Sequence, residues 1–100
     1  MTEQDINLNH AQARGQADEL RALAEELREI LSEYHEVLHS LESVWSGPST
    51  RQYLDGAQTK TRNLGRVPGR LDELAQAIDK TAALYRQAEM QKLRAKRSIR

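Results

Sequence analysis

The feature that most constrains this chain is the segment Trp45-Ser46-Gly47-Pro48-Ser49, close to the middle of the 100-residue sequence. Proline has no N–H for a helix interior, and it disfavours helical geometry in the residue before it. Gly47 suits the left-handed position just after a helix, and Ser49 can cap the first turn of the next helix. The segment therefore predicts that one helix ends and another begins here.

The first predicted helix covers about residues 9–45, after an irregular lead-in of residues 1–8. Asn9 and Gln12 have the spacing of a capping box. Alternating steps of four and three residues then connect an apolar seam: Ala13, Ala17, Leu20, Ala24, Leu27, Leu31, Tyr34, Leu38, Leu41 and Trp45. A second set, here called the outer column, recurs every seven residues: Leu23, Ile30, Val37 and Val44. This apolar face is wider than packing against a single neighbouring helix requires.

The second predicted helix covers about residues 49–91, after a turn at 46–48. Its seam continues the same spacing: Leu54, Ala57, Thr61, Leu64, Pro68, Leu71, Ala75, Ile78, Ala82 and Tyr85, flanked by Val67, Leu74, Thr81 and Ala88. Gly65, Pro68 and Gly69 disfavour helix. Because the spacing stays in phase across them, one helix kinked near 65–69 is favoured over two separate helices. The basic tail, residues 92–100, is predicted to fray.

These patterns predict an all-α fold in which a single domain, residues 1–100, forms an antiparallel two-helix hairpin. Each arm would be roughly 50–60 Å long at 1.5 Å per residue, and two helices alone enclose no core. The sequence has no cysteine and no evident metal site to staple a small fold. We therefore predict dimerisation into a four-helix bundle. The predicted core and dimer seam comprises Leu20, Leu23, Leu27, Ile30, Leu31, Tyr34, Leu38, Leu41, Leu64, Leu71, Leu74 and Ile78.

The zero net charge conceals two oppositely charged halves. Residues 1–50 contain ten acidic and three basic residues, and residues 51–100 contain five acidic and twelve basic ones. Attraction between the arms, within one chain or between chains, is the simplest interpretation. Basic segments 60–70 and 92–100 leave nucleic acid or anionic lipid as an alternative, but aromatic residues are not interleaved there and the acidic arm repels phosphate. We predict no nucleic-acid partner and no membrane insertion, since no apolar run approaches 18 residues.

One enzyme-like motif occurs, His35-Glu36-Val37-Leu38-His39, which has the zinc-protease spacing His-Glu-x-x-His. The third histidine of the extended pattern is missing and no strand is predicted beside it, so surface histidines are the favoured interpretation. The chain has no phosphate-binding loop and no arguable Ser-His-Asp or Cys-His arrangement. We predict that it is not an enzyme, has no catalytic residues and needs neither metal nor cofactor.

Trp45-Ser46-Gly47 at the central turn and Tyr85-Arg86-Gln87-Ala88-Glu89 late in the second helix resemble the two motifs of the WXG family of early-secreted-antigen-like proteins. The resemblance covers the whole chain. It implies synthesis in the cytoplasm and export by a bacterial type VII (ESX) secretion system without a cleaved signal peptide, consistent with the acidic N-terminus, which is unlike a signal peptide.

The resemblance further implies an antiparallel dimer, with a second copy or a related WXG-type partner. In that arrangement the turn of one chain lies beside the Tyr-x-x-x-Glu segment of the other. The implied export signal is then composite: Trp45 and Gly47 from one subunit, Tyr85 and Glu89 from the second, read by the system's membrane ATPase. Some relatives instead escort a larger effector or toxin that has a helical N-terminal domain. Gly65, Pro68 and Gly69 depart from the family's smoother second helix and leave room for this escort role.

Overall fold

A computed structural model describes residues 1–98, and all of the regular structure in that range is α-helical. Helix α1 spans Glu3–Val44, α2 spans Pro48–Leu64 and α3 spans Val67–Ser98. The last two residues of the predicted basic tail lie outside the described residues. The all-α prediction is confirmed, whereas the predicted helix boundaries differ from the structure at several places.

Helix α1 begins at Glu3, six residues before the predicted start at Asn9. The backbone N–H of Thr2 donates to Asp5 Oδ2 at 3.1 Å, and the N–H of Asp5 donates to Thr2 Oγ1 at 3.2 Å. This reciprocal capping box satisfies two N–H groups that a helix terminus otherwise leaves unpaired. Ile6, in the next turn, is 1% exposed. The predicted irregular lead-in is therefore a capped helical turn in which Ile6 is buried and Glu3, Gln4 and Asp5 are exposed.

The second arm contains two helices, because α2 ends at Leu64 and α3 begins at Val67. The N–H of Arg66 bonds to the carbonyl of Asn63 at 3.3 Å, which tightens the chain into a turn. Pro68 is the second residue of α3, where a helix makes no use of the missing N–H, and its side chain is buried. The favoured single kinked helix differs from this finding, since Pro68 helps to start a helix rather than bend one.

Helix α3 continues to Ser98, so the described part of the tail is helical rather than frayed. Ser98 Oγ donates to the carbonyl of Arg94 at 3.0 Å. The guanidinium of Arg97 lies 3.9 Å from the carboxylate of Glu3. Glu3, at the capped start of α1, thus places a negative charge beside the basic end of α3. Intrinsic helix propensity, on which the prediction of fraying depends, does not include a contact between segments so far apart in sequence.

The chain divides into two compact units, which are described separately. Unit 1 contains Met1–Arg21 and the chain from Asp72 onward. Its two helical segments run antiparallel: Arg86 Nε donates to Asn7 Oδ1 at 2.9 Å, and Arg21 forms an ion pair with Asp79. Ala17 and Ala75 are completely buried. Such small side chains allow two helices to approach closely.

Unit 2 contains Ala22–Leu71, in which the rest of α1 and α2 also run antiparallel. Leu38, Leu54 and Ala57 form its buried cluster, with Leu41 packed against them. Gln58 Nε2 donates to Glu42 Oε1 at 2.6 Å beside this cluster. The polar link and the apolar cluster both join α1 to α2, so the chain reverses direction sharply at Trp45–Gly47.

The predicted seam separates into a covered part and an exposed part. Seven of the twelve residues of the predicted core and dimer seam are at least half-buried: Leu20, Leu27, Leu31, Leu38, Leu41, Leu71 and Ile78. The other five are exposed: Leu23, Ile30, Tyr34, Leu64 and Leu74. The whole outer column is also exposed, between 53 and 76%. Packing within a single chain therefore covers most of the inner positions, though not Tyr34 or Leu64, and leaves the outer column open.

Candidate functional site

Gly47 sets the geometry of the turn between α1 and α2. Its φ of 124° and ψ of 159° form the only positive-φ conformation among the described residues. A side chain on an L-residue is strained in that region, so glycine is required there. Gly47 is also the N-cap of α2, with Pro48 at the first helical position and no side-chain cap bond. The prediction that Ser49 caps this helix is therefore wrong, because Pro48 starts the helix one residue earlier.

Trp45 follows the last residue of α1 and is held by its backbone. Its N–H donates to the carbonyl of Leu41 at 2.8 Å, which continues the helical bonding for one more residue. The indole is 54% exposed and borders a cavity of about 630 Å³ with Glu42, Arg51 and Asp55. Trp45 continues the apolar spacing of α1, yet about half of its surface is open to a partner.

Tyr85 lies on α3 in unit 1, at the edge of an apolar groove of about 620 Å³. Ala13 of α1 and Ile78 and Ala82 of α3 also line this groove. The tyrosine is 46% exposed. Its ring therefore contributes apolar surface to a groove that remains open, with the small alanines leaving room for side chains from another helix.

Glu89 lies one helical turn after Tyr85 and is more enclosed. Its side chain is 19% exposed, and Lys92 Nζ donates to Glu89 Oε1 at 3.3 Å. Glu89 also borders a smaller cavity with Met1 and Leu93. The i, i+4 spacing places Tyr85 and Glu89 on one face of the helix, so the segment presents an exposed aromatic ring next to a paired carboxylate.

The two histidines of the His-Glu-x-x-His segment face different surroundings. His39 is highly exposed, with Nδ1 3.8 Å from Glu42 Oε2. His35 borders a cavity of about 350 Å³ with Gln58, Thr61 and Arg62. Across residues 1–98, no group of three or more His, Asp or Glu side chains is arranged to hold a metal ion. The interpretation as surface histidines fits this arrangement.

Residues 5–90 match the family model WXG100, described as proteins of 100 residues with WXG. The chain belongs to the WXG100 family. This family comprises substrates of type VII secretion, which are non-enzymatic secreted proteins that typically dimerise. The resemblance inferred from the Trp45 turn and the prediction that the chain is not an enzyme are both confirmed by this membership. No match to the sequence is found among curated proteins.

A solved structure, Geobacillus thermodenitrificans EsxA in crystal form I, has a similar fold. The match has a TM-score of 0.75 at 18% sequence identity, and covers 88% of this chain and 98% of that one. At this identity the likeness establishes fold alone. It confirms an all-α helical hairpin. In residues 1–98, no helix has the length and apolar character needed to span a bilayer.

Sequence reasoning missed two features of the surface. Glu26 and Glu33, the exposed carboxylates beside the outer column, contribute to the acidic character of the first arm but are not predicted to lie on a particular face. Tyr53, 64% exposed on α2, is not among the predicted flanking positions, although it lies 14 residues before Val67 in the same seven-residue series. The heptad spacing could have found both, because it places charges as well as apolar residues on faces.

Proposed function

We propose that this WXG100 protein is exported by a type VII secretion system as a folded dimer. The observation that carries the proposal is the Trp-x-Gly turn, in which a glycine-only conformation holds a half-exposed Trp45 between two helices. Family membership supports the secretion route. The proposed composite signal consists of Trp45 and Gly47 from one subunit with Tyr85 and Glu89 from the other, read by the membrane ATPase of the system.

The need for a dimer is supported by the surface of each unit. Unit 2 leaves the outer column exposed, and unit 1 leaves an apolar groove open beside Tyr85. Exposed apolar surfaces of this extent mark interaction sites in small proteins. An antiparallel partner would cover both surfaces and bring its own turn next to Tyr85. The ATPase would then meet the complete signal only on the assembled and folded dimer.

An export assay in the native host tests this function. Trp45→Ala and Tyr85→Ala are each expected to reduce the protein in the medium at least about tenfold while it accumulates in cells. Gln87→Ala is the matched control, because it removes an exposed side chain from the same segment of α3 at a position that neither motif specifies. Circular dichroism of each purified variant checks that the helices remain. Wild-type secretion of the Tyr85→Ala variant would contradict the proposed signal.

A second candidate is the escort of a larger effector or toxin by binding its helical N-terminal domain. The interruption at Gly65–Arg66 between α2 and α3 favours it, because a short α2 gives the second arm a surface unlike that of a continuous helix. Co-purification from the native host distinguishes the two. A complex with a chain much longer than 100 residues supports the escort role, and a complex of small hairpins supports the first function.

A further inference from the structure

Basic residues recur every seven positions along one border of α1. Arg14, Arg21, Arg28 and His35 each directly follow a residue of the apolar seam, whereas each residue of the outer column directly precedes one. Residues seven apart lie almost above one another on a helix. These four residues therefore form a row on the border of the seam opposite the outer column, and His35 is its last base.

The second arm places a carboxylate opposite one base of this row and none opposite another. In unit 1, Arg21 forms an ion pair with Asp79 of α3. In unit 2, His35 borders a cavity of about 350 Å³. The other residues that line this cavity all belong to α2: Gln58, Thr61 and Arg62. An amide, a hydroxyl and a second base thus surround His35, where the corresponding position of unit 1 has an acid.

His35 and Arg62 face this cavity without an acid between them. Neither side chain has an ion-pair or hydrogen-bond partner among residues 1–98. Glu33 and Glu36 are close to His35 in sequence, but residues one or two positions apart do not share a face of a helix. Positive groups at such a site repel each other unless an anion lies between them. The charges of the cavity therefore suit an anion.

Glu42 is the acidic residue that contacts this site, and its carboxylate already has partners. Its Oε1 accepts a hydrogen bond from Gln58 Nε2 at 2.6 Å, and its Oε2 lies 3.8 Å from Nδ1 of His39. The Gln58 amide has a second N–H, which this bond does not use. Thr61 donates its hydroxyl to the carbonyl of Ala57 at 2.8 Å, so it forms part of the wall. The donors left for an anion are the imidazole, the amide and the guanidinium.

Arg66 adds positive charge one turn after Arg62. The backbone between them remains helical, since the N–H of Gly65 donates to the carbonyl of Thr61 at 2.9 Å, and residues four apart share a face. Both arginines are exposed, and in the described part of the chain neither forms an ion pair. A guanidinium group presents a planar fork of N–H donors that matches two oxygens of a phosphate.

We propose that His35, Gln58 and Arg62 form a binding site for a phosphate group, either free or carried by a small monoester. A phosphate dianion offers two negative charges and three strong acceptor oxygens, so it matches the charges and donors of the cavity better than a carboxylate does. The volume is about ten times the roughly 30 Å³ of a water molecule, which leaves room for the organic part of a monoester. The site does not depend on the proposed export function.

Protonation of His35 adds a positive charge to this site. The charged groups that face it are Arg62 from α2 and, on its own side of α1, Arg28, His39 and Glu42. Histidine side chains gain their charge as the pH falls below neutrality. An anion in the cavity is therefore held more tightly in mildly acidic solution than in mildly alkaline solution.

Titration of the purified full-length chain, followed by amide chemical shifts, tests the site. The probes are inorganic phosphate and glycerol 3-phosphate, with acetate at equal ionic strength as the control anion. Both phosphate probes are expected to shift the signals of His35 and Gln58, with a dissociation constant on the order of 1 mM. Tighter binding of glycerol 3-phosphate identifies a small monoester as the occupant, and equal affinity identifies free phosphate. Acetate that binds as tightly as phosphate overturns the proposal.

Matched variants distinguish a site from general attraction of anions. Arg62→Gln and His35→Gln are each expected to weaken phosphate binding at least about fivefold. Lys60→Gln removes a positive charge from another face of α2 and should change the affinity less than about twofold. All three positions are exposed, and circular dichroism checks that the helices remain. Equal losses in Lys60→Gln and Arg62→Gln overturn the assignment of the site.

Sulfate gives a separate readout for His35, because it remains a dianion throughout the range in which histidine titrates. The wild-type chain is expected to bind sulfate at least about threefold more tightly at about pH 5.5 than at about pH 8. In His35→Gln this dependence should disappear. Wild-type binding that does not change with pH, or an unchanged pH dependence in His35→Gln, overturns the role of His35.

Discussion

The two units differ in how their polar side chains are used. In unit 1, three polar contacts join α1 to α3, made by Arg21 with Asp79, Arg86 with Asn7 and Arg97 with Glu3. In unit 2, Glu42 with Gln58 is the corresponding contact between α1 and α2, while Glu26, Glu33, Lys60 and Arg70 form no ion pair with any residue of 1–98. The opposite charges of the arms thus meet within the chain in unit 1, and in unit 2 they remain available for a partner.

The two units also differ in their apolar surfaces. Unit 1 buries Ile6, Ala17 and Ala75 and leaves a concave groove beside Tyr85. Unit 2 buries a small cluster around Leu38 and exposes a convex stripe, the outer column. One end of α1 therefore borders a groove, and the other end carries a ridge. The two ends of α1 differ in sequence as well as in what covers them, because the series of the outer column is polar at Asn9 and Gln16 and apolar from Leu23 onward.

The largest effect is expected from Leu38→Ala, which removes the centre of the small buried cluster of unit 2. Leu38 is 2% exposed, so its loss should lower the free energy of unfolding by about 2–5 kcal/mol. The adjacent Val37→Ala, on the open outer column, should change it by less than about 0.5 kcal/mol. Urea unfolding, at protein concentrations too low for the chain to associate, measures both changes in the free energy of unfolding. Similar losses would show that the outer column is covered in the monomer.

Two glycine substitutions in unit 2, one in the turn and one in α2, should change the stability in opposite directions. Gly47→Ala should cost about 1–3 kcal/mol, because alanine is strained at a φ of 124°. Gly56→Ala, in the interior of α2 with open space around the added methyl group, should stabilise by about 0.5–1 kcal/mol. Thermal unfolding distinguishes them. A neutral Gly47→Ala variant would mean that the turn relaxes to another conformation.

In unit 1, Asp79→Asn tests whether polar contacts between arms hold the helices together. The hydrogen bond from Arg21 to Asp79 holds the pKa of Arg21 above its ordinary value, and the Asp79 side chain is 28% exposed. Asp79→Asn should lower the unfolding temperature by less than Gly47→Ala does. Asp18→Asn, at a more exposed partner of the same arginine, should lower it less still. Equal shifts of the unfolding temperature in the two variants would show that the contact of Arg21 with Asp79 stabilises the fold no more than its contact with Asp18.

The smallest effect concerns the capping box of unit 1. The hydrogen bonds from the N–H and hydroxyl of Thr2 lower the pKa of Asp5 below its ordinary value. A group with a lowered folded pKa contributes stability at higher pH, and this contribution is lost as the pH falls through the folded value. Carbon chemical shifts of residues 3–8 should therefore report loss of helix below about pH 4. In Thr2→Val this titration should move upward, and an unchanged curve would contradict the assignment.

The sequence determined much of the fold. Helical spacing located the seam that contains Leu38, and Gly47-Pro48 located the turn, because apolar periodicity and backbone restrictions act locally. The start of α1 at the Thr2–Asp5 capping box was missed, because Asn9 and Gln12 have the same spacing. The break at Gly65–Arg66 was harder to predict, because unbroken apolar spacing is compatible with a kink or with two helices.

The composition and spacing of this chain fixed its helices, its reversal at Trp45–Gly47 and its WXG100 character, since each depends on residues close in sequence. Only the tertiary structure decided which apolar column is covered and which charges find partners. Burial and ion pairing depend on what the facing helix supplies at each level: α3 supplies Asp79 to Arg21, whereas nothing in the described chain pairs with Glu26 or Glu33.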